Sequence, residues 1–312
     1  MATSGESAKQ GEVPLARMAA RPHECAMAAF SLPTGRARTL ALAFLALVLL
    51  VAGLLAWKTW QDTMASPRVV RTSVVLDDMP TDAGPVTVAL ISDIHVAGPD
   101  MPPERLRRIV AQINALKPDA VLIAGDLVSK KTLATKVYQP HEIVAPLGDL
   151  ESRLGTFFVP GNHDHWYDLE GLASQLAQRG VTILANEAVE AGPLLIGGLD
   201  DDYTGHDDIP KTLAAMDRRE GARIFLGHSP DSLPALPEGS VILAGHTHCG
   251  QIRLPIIGAI ATQSRYGQRF ACGRTDEGSR TAIVGAGLGT SVLPIRFGTR
   301  PEVWLIDFTP PE

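Results

Sequence analysis

Cysteine is nearly absent, with only Cys25, Cys249 and Cys272 in 312 residues. That excludes a disulfide-framed scaffold, and the lack of any CxxC spacing excludes a thiolate zinc module. Cys25 lies on the far side of a long apolar run from the other two, so the one conceivable bridge is Cys249 to Cys272, and the sequence favours reduced thiols. Positive charge is also in short supply: the formal net charge is -6 and the isoelectric point near 5.9. A protein whose main affinity is for a nucleic-acid backbone carries a basic face, so nucleic acid is not the expected partner, although a local basic patch stays open. No internal repeat is found. At 45% hydrophobic and 20% charged residues the composition is that of a folded chain, long enough for one large domain plus an appendage.

What is present begins with Leu40 to Trp57, LALAFLALVLLVAGLLAW, an uncharged run of the length that crosses a bilayer. A buried core helix would need some polar side, and this run has none. A cleaved signal peptide is the stronger rival, but the preceding tail is long and no A-x-A site follows closely, so an uncleaved single-pass anchor is expected. Lys9, Arg17, Arg21, Arg36 and Arg38 precede the run, whereas Lys58, Arg68 and Arg71 follow it. The balance leans towards a cytoplasmic amino terminus and a domain outside the cytoplasm. The expected organisation is a poorly ordered tail over 1–39, a transmembrane helix over 40–57, a linker and first strand over 58–84, and the main domain over 85–312.

From Pro85 onward short apolar runs alternate with helical patterns, the signature of an α/β domain. Helices are expected over 102–117, where Leu106, Ile109, Val110, Ile113 and Leu116 share a face, and over 168–179 and 209–219. Five of the apolar runs end in a turn that presents a metal-capable side chain. VTVALISDIH ends on Asp93 and His95, AVLIAGDLV on Asp126, TFFVPGNHD on Asn162 and His163, RIFLGHSPD on His228, and VILAGHTHCG on His246 and His248. Runs without polar alternation fit strands covered on both faces, and ligands of such sheets gather beyond the carboxyl ends. Asp93 and His95, like His246 and His248, are two residues apart, which in extended backbone aims both at one side. Carboxylate, amide and imidazole donors suit Mn, Fe, Zn or Mg better than a structural zinc site. His141 and His206, outside such turns, read as ordinary surface or hydrogen-bonded residues.

DIH at 93–95, GDLV at 125–128, GNHD at 161–164, GH at 227–228 and GHTHCGQ at 245–251 resemble, in order, the five blocks of the calcineurin-like metallophosphoesterases. The resemblance implies a four-layer α/β/β/α sandwich of two mixed sheets with two divalent metal ions at one edge. Asp93, His95 and His248 would hold one, Asn162, His228 and His246 the other, and Asp126 would bridge them. A water activated by the pair would attack phosphorus. His163 would protonate the leaving oxygen or stabilise its charge, and Asp164 would either orient His163 or cap the loop. Cys249 is expected to pack, Asp200, Asp201 and Asp202 to form a solvated acidic loop, and Arg296 and Arg300 either to grip phosphate or to pair at the surface.

The stretch GLGTSVLPIRFGTRPEVWLIDF with HTHCGQIRLPIIG resembles the transmembrane or exported subgroup that includes enzymes of UDP-diacylglucosamine and related lipid-linked diphosphates. That resemblance implies a phosphorylated small-molecule or lipid substrate. Leu254 to Ile260 is expected to be core, with an acyl-chain surface as the alternative. Competing readings are a phosphodiesterase or phosphomonoesterase of soluble substrates displayed at a membrane, a noncatalytic metal-binding scaffold and, least favoured, a nuclease.

Overall fold

The computed structural model describes residues 35–129 and 131–312. The expected tail lies outside the described residues up to 34, and from Arg36 the chain is already helical. Helix α1 (Arg36–Met64) is 29 residues, about 43 Å at 1.5 Å per residue, and is long and apolar enough to cross a membrane. The stretch to Val51 forms one unit, and Ala52 to Glu312 forms a second. A linker was expected from residue 58, but helix continues through Lys58–Met64. Nothing there breaks it until Ser66-Pro67, where proline removes a donor and turns the preceding residue extended.

The second unit is built on two mixed six-stranded sheets. In the first, β1 (Arg68–Val75) runs parallel to β14 (Glu302–Thr309), and β14 lies antiparallel to β2 (Val86–Ser92). Parallel neighbours β3 (Ala120–Ala124), β4 (Thr156–Val159) and β5 (Val181–Ile183) complete that sheet. The second sheet runs β12 (Gly273–Glu277), β13 (Arg280–Val284), β9 (Val241–Ala244), β8 (Ala222–Leu226), β7 (Leu194–Gly198), β6 (Glu187–Ala191), antiparallel only at its two outer pairs.

Alternation along each strand sorts the core into layers. Val88 and Leu90 of β2 join Leu122, Phe157, Ile196, Leu226 and Leu243 between the sheets. Ala89 and Ile91 face the other way, against α2 (Pro103–Ala115), α3 (Pro140–Val144) and α5 (Leu169–Ala177). Leu195, Phe225 and Ile242 face α6 (Ile209–Met216) on the outside of the second sheet. The result is the expected α/β/β/α sandwich. Both faces of each central strand are covered, which is why these runs carry no polar alternation. All three expected helices are present, each ending two or three residues short of its expected carboxyl end: Leu116, Gln178 and Asp217 cap them.

Candidate metal centre

All five motifs leave the carboxyl ends of parallel strands. DIH follows β2, GDLV follows β3 and GNHD follows β4 in the first sheet; the two GH motifs follow β8 and β9 in the second. GNHD opens α4 (Asn162–Tyr167). The convergence has a different local cause from the extended-backbone alternation expected for Asp93/His95 and His246/His248. Each of the four has positive φ, at 47°, 49°, 68° and 52°, and Asp126 joins them at 57°. Turns, not pleats, aim these side chains. A non-glycine residue in that region costs roughly 1–3 kcal/mol and persists only where its surroundings over-determine it, commonly at functional sites. Gly245 shows the crowding, since a Cβ there would collide with the Asp93 carboxylate and Ser92.

The donors meet at hydrogen-bonding separations. His95 Nε2 lies 3.0 Å from His248 Nε2 and 3.5 Å from Asp126 Oδ2, and His248 Nε2 lies 3.4 Å from Asp93 Oδ1. On the other side His228 Nε2 lies 3.3 Å from Asp126 Oδ2, 3.1 Å from Asn162 Oδ1 and 3.1 Å from His246 Nδ1. Asp126 thus faces both groups. Three donor sets are close enough to hold an ion: Asp93, His95 and His248; Asp93, Asp126 and His228; and His95, Asp126 and His163. The outer nitrogens fix the inner ones. His95 Nδ1 sits 3.0 Å from the Val128 carbonyl and His228 Nδ1 2.9 Å from that of Ala124, so each Nδ1 carries the proton and donates it outward. In the neutral ring each Nε2 then turns a lone pair inward, as in histidines whose outer nitrogen is tied to a carbonyl and whose inner one binds a metal.

Charge tells the same story. Burial pushes Asp93 up to about 7 and drives His95 and His248 well below the ordinary imidazole range. Burial also pulls on His228, but the Asp126 and Asp93 carboxylates overcome it and hold that imidazole well above its usual value. Asp126, despite its own burial, is held well below the carboxylate range by His228 and His95. Without a cation the site therefore balances its carboxylates with protons.

His163 stands beside this cluster, its ring 4.8 Å from that of His95 and its Nε2 3.4 Å from Ser291 Oγ. Its backbone N–H donates to Asp126 Oδ1 at 2.8 Å. Burial lowers its pKa, so at neutral pH it is a neutral hydrogen-bond donor. Asp164 does not touch it; the carboxylate caps the loop, accepting from the backbone N–H groups of Asp126, Leu127 and Gly161 at 2.8, 2.8 and 2.9 Å.

Several expectations change. Cys249 and Cys272 are joined in a disulfide, against the expected reduced thiols; the hydrophobic surroundings of a packed cysteine and a bridged one cannot be told apart without knowing which strand ends meet. Asp200–Asp202 is no solvated loop: Asp201 is fully buried, Asp200 pairs with His165 at 2.7 Å and Asp202 with Arg265 at 2.7 Å. Arg296 neither grips phosphate nor pairs at the surface, being fully buried with Nη2 donating to the carbonyls of Ala286, Gly287 and Gly289. Arg300 is exposed, near Asp62. Residues 254–260 are not core, because Ile256, Ile257 and Ile260 are exposed. His141 is exposed, and His206 hydrogen-bonds Thr204 and stacks on His165.

A cavity of about 400 Å³ opens over Asp126, Asn162, His163, His246 and His248. Its walls include Trp166, Tyr203, Gln251 and Ser291, which sequence reasoning passed over. Trp166 could have been suspected from its place one turn after Asn162; nothing local marks Ser291.

Residues 86–250 match the family profile of the calcineurin-like phosphoesterases. A zebrafish (Danio rerio) transmembrane protein with metallophosphoesterase domain is 31% identical over 278 residues, 82% of this chain and 61% of that protein. An uncharacterized metallophosphoesterase of Helicobacter pylori is 30% identical over 262 residues, 81% of this chain and 67% of its own length. YkuE of Bacillus subtilis, likewise an uncharacterized metallophosphoesterase, is 34% identical over 209 residues, 64% of this chain and 71% of its own. The chain thus spans about three fifths of the zebrafish protein. With the profile running from before Asp93 to past His248 and these side chains drawn together beyond the strand ends, the chain belongs to the calcineurin-like phosphoesterase family.

Proposed function

We propose that this chain is a membrane-anchored, metal-dependent phosphoesterase that hydrolyses a phosphodiester or pyrophosphate bond at a centre of two divalent ions. The observation that carries this is the placement of one carboxylate, Asp126, within 3.5 Å of His95 Nε2 and 3.3 Å of His228 Nε2, so that a single residue faces both donor groups. The residues fit cations: their inward lone pairs lie about as close as hydrogen-bonded atoms, and the site otherwise needs protons to balance its carboxylates. Asp93, His95 and His248 would hold one ion, Asn162, His228 and His246 the other, with Asp126 between them. When bound, such ions supply Lewis acidity and a hydroxide at neutral pH.

The rest falls to the chain itself. Neutral His163, steadied by Ser291, donates a hydrogen bond to the leaving oxygen, the second of the two roles its position allowed. Asp164 keeps the turns carrying Asp126 and Asn162 in register by capping both. The absence of thiolate among these donors favours Mn, Fe, Zn or Mg. A substrate with an apolar group, of the UDP-diacylglucosamine kind, is supported by the largely apolar wall formed by Ile252, Ile260, Val292 and Leu293. The Cys249–Cys272 bridge supports a domain on the oxidising side of the membrane.

The test is turnover of bis-p-nitrophenyl phosphate by the full chain in detergent, after chelation and after readdition of Mn. We expect hydrolysis that vanishes on chelation, is absent in Asp126→Asn, and falls by about 10²–10⁴ in His163→Ala with bound metal retained. Turnover that survives chelation, or full activity in Asp126→Asn, sinks the reading.

A further inference from the structure

Beside the metal centre the chain builds a projecting apolar lip. A two-stranded hairpin, β10 (Arg253–Leu254) and β11 (Gly258–Ala259), carries Pro255, Ile256 and Ile257 at its tip. Ile256 is 107% exposed relative to an extended reference and Ile257 65%; Ile260, just beyond the hairpin, is 62% exposed. Ile256 also holds φ at 70°, a region that a β-branched residue seldom enters. The tip is braced: Ile257 N–H donates to the Pro255 carbonyl at 2.8 Å, and the Gln268 side chain ties Ala259 N–H and the Ile257 carbonyl at 3.2 and 3.3 Å. A strained, braced turn that holds isoleucines in water is a constructed feature.

The lip does not stop at the hairpin. Val292 and Leu293, 60% and 38% exposed, are fastened beside it, since Gln251 Nε2 donates to the Leu293 carbonyl at 2.9 Å and Ser291 N–H to Gln251 Oε1 at 2.9 Å. Ile260, Val292 and Leu293 also line the cavity that holds His246 and His248, so one apolar surface runs from the hairpin to the proposed donors. Arg253, at the base of the hairpin, is exposed and enters no ion pair among the described residues.

Three residues past Leu293, the same segment grips the last turn of α1. Arg296 N–H donates to Thr63 Oγ1 at 2.7 Å, and Gly298 N–H to Asp62 Oδ2 at 3.1 Å. The last turn of α1, within the second unit, is thus hydrogen-bonded to the stretch of chain that carries two of the five lip residues.

We propose that Ile256, Ile257, Ile260, Val292 and Leu293 form a lip that inserts into the lipid–water interface, through which the site takes phosphate esters out of the membrane plane. The occupant is a bilayer, because the chain offers a helix long and apolar enough to span one, whose last turn bonds this segment, and because an arginine in no ion pair among the described residues, beside exposed aliphatic side chains, complements anionic headgroups over acyl chains. The substrate part of the inference rests on the phosphoesterase reading above; the insertion itself does not.

The experiment uses the full chain reconstituted into vesicles of phosphatidylcholine and phosphatidylglycerol, with Ile257→Trp as reporter and Leu293→Trp as a second in case the first fails to fold. Glu220→Trp, at the amino-terminal rim of β8, is the aqueous control, and the parent protein's own tryptophan emission is subtracted. We expect the added emission of either lip reporter to shift to the blue and to be largely lost when the acyl chains are brominated, with the control unchanged. Added emission that stays red and is quenched by aqueous iodide overturns the proposal. A blue shift without quenching by brominated lipid means that a second copy or another protein covers the lip, and overturns it equally. None of these readings needs turnover, so the phosphoesterase reading stands or falls separately on the chelation assay.

Discussion

Replacing both Cys249 and Cys272 with alanine frees a loop that the bridge closes over a sequence separation of 23. In the chain-entropy account a loop of that length stabilises the folded state by about 3 kcal/mol. For a domain of this size each kcal/mol moves the melting temperature by roughly 2 °C, so the double variant should melt about 6 °C below the parent. The freed loop contains the β10–β11 hairpin, and Cys249 directly follows His248, so occupancy of the Asp93–His95–His248 donors should fall before that of the His228 side. Thermal scans of the full chain in detergent, with metal analysis of each sample, test both parts. Reductant should lower the parent's melting temperature by the same amount and leave the variant's unmoved. A parent indifferent to reductant under conditions that reduce exposed disulfides, with a variant that melts alongside it, would refute the reasoning and remove the argument for an oxidising compartment.

Gly245→Ala places a methyl group against the Asp93 carboxylate and Ser92, so this variant should fold yet lose bound metal, and a normal metal content by mass spectrometry under native conditions would contradict the geometry. Arg296→Met leaves three buried carbonyls without their donor and should cost about 3 kcal/mol or more in denaturant unfolding; Arg296→Lys should not restore it, because an ammonium cannot reproduce the planar fork. Metal uptake near pH 7 should release protons. Asp93 is pushed up to about 7 and His228 is held above its usual value, so the metal-free site binds protons that cations must displace, and affinity should rise with pH through this range. Calorimetry in buffers of different ionisation enthalpy reads the release, and a zero value would show that these groups are already deprotonated.

The ordered motifs made the sandwich legible before any coordinates through the family they resemble, and the seven side chains they name come together beyond the strand ends. The reason given for convergence was too simple: Asp93 and His95 do not meet their partners by strand alternation but through turns with positive φ, which no residue-type pattern announces in aspartate or histidine. Long-range pairing was equally hidden. Arg296 looks like a surface cation in sequence, and only the approach of three carbonyls from 286–289 makes burial tolerable. Leu254 to Ile260 looked like core because hydrophobicity alone does not say whether a neighbouring layer exists to cover it. The disulfide depended on two loops meeting from separate strands.

The position of β14 carries a consequence for biosynthesis. This strand lies between β1 and β2, and among the described residues β1 has no other neighbour in its sheet, so Arg68 must wait for Glu302, 234 residues later in the chain, before its strand can pair. The first sheet therefore cannot take in β1 until its second strand, β14, has been made. The pairings of β2 with β3, β4 and β5 and those of the second sheet do not involve β14, so what waits on residue 302 is the docking of this unit's first strand.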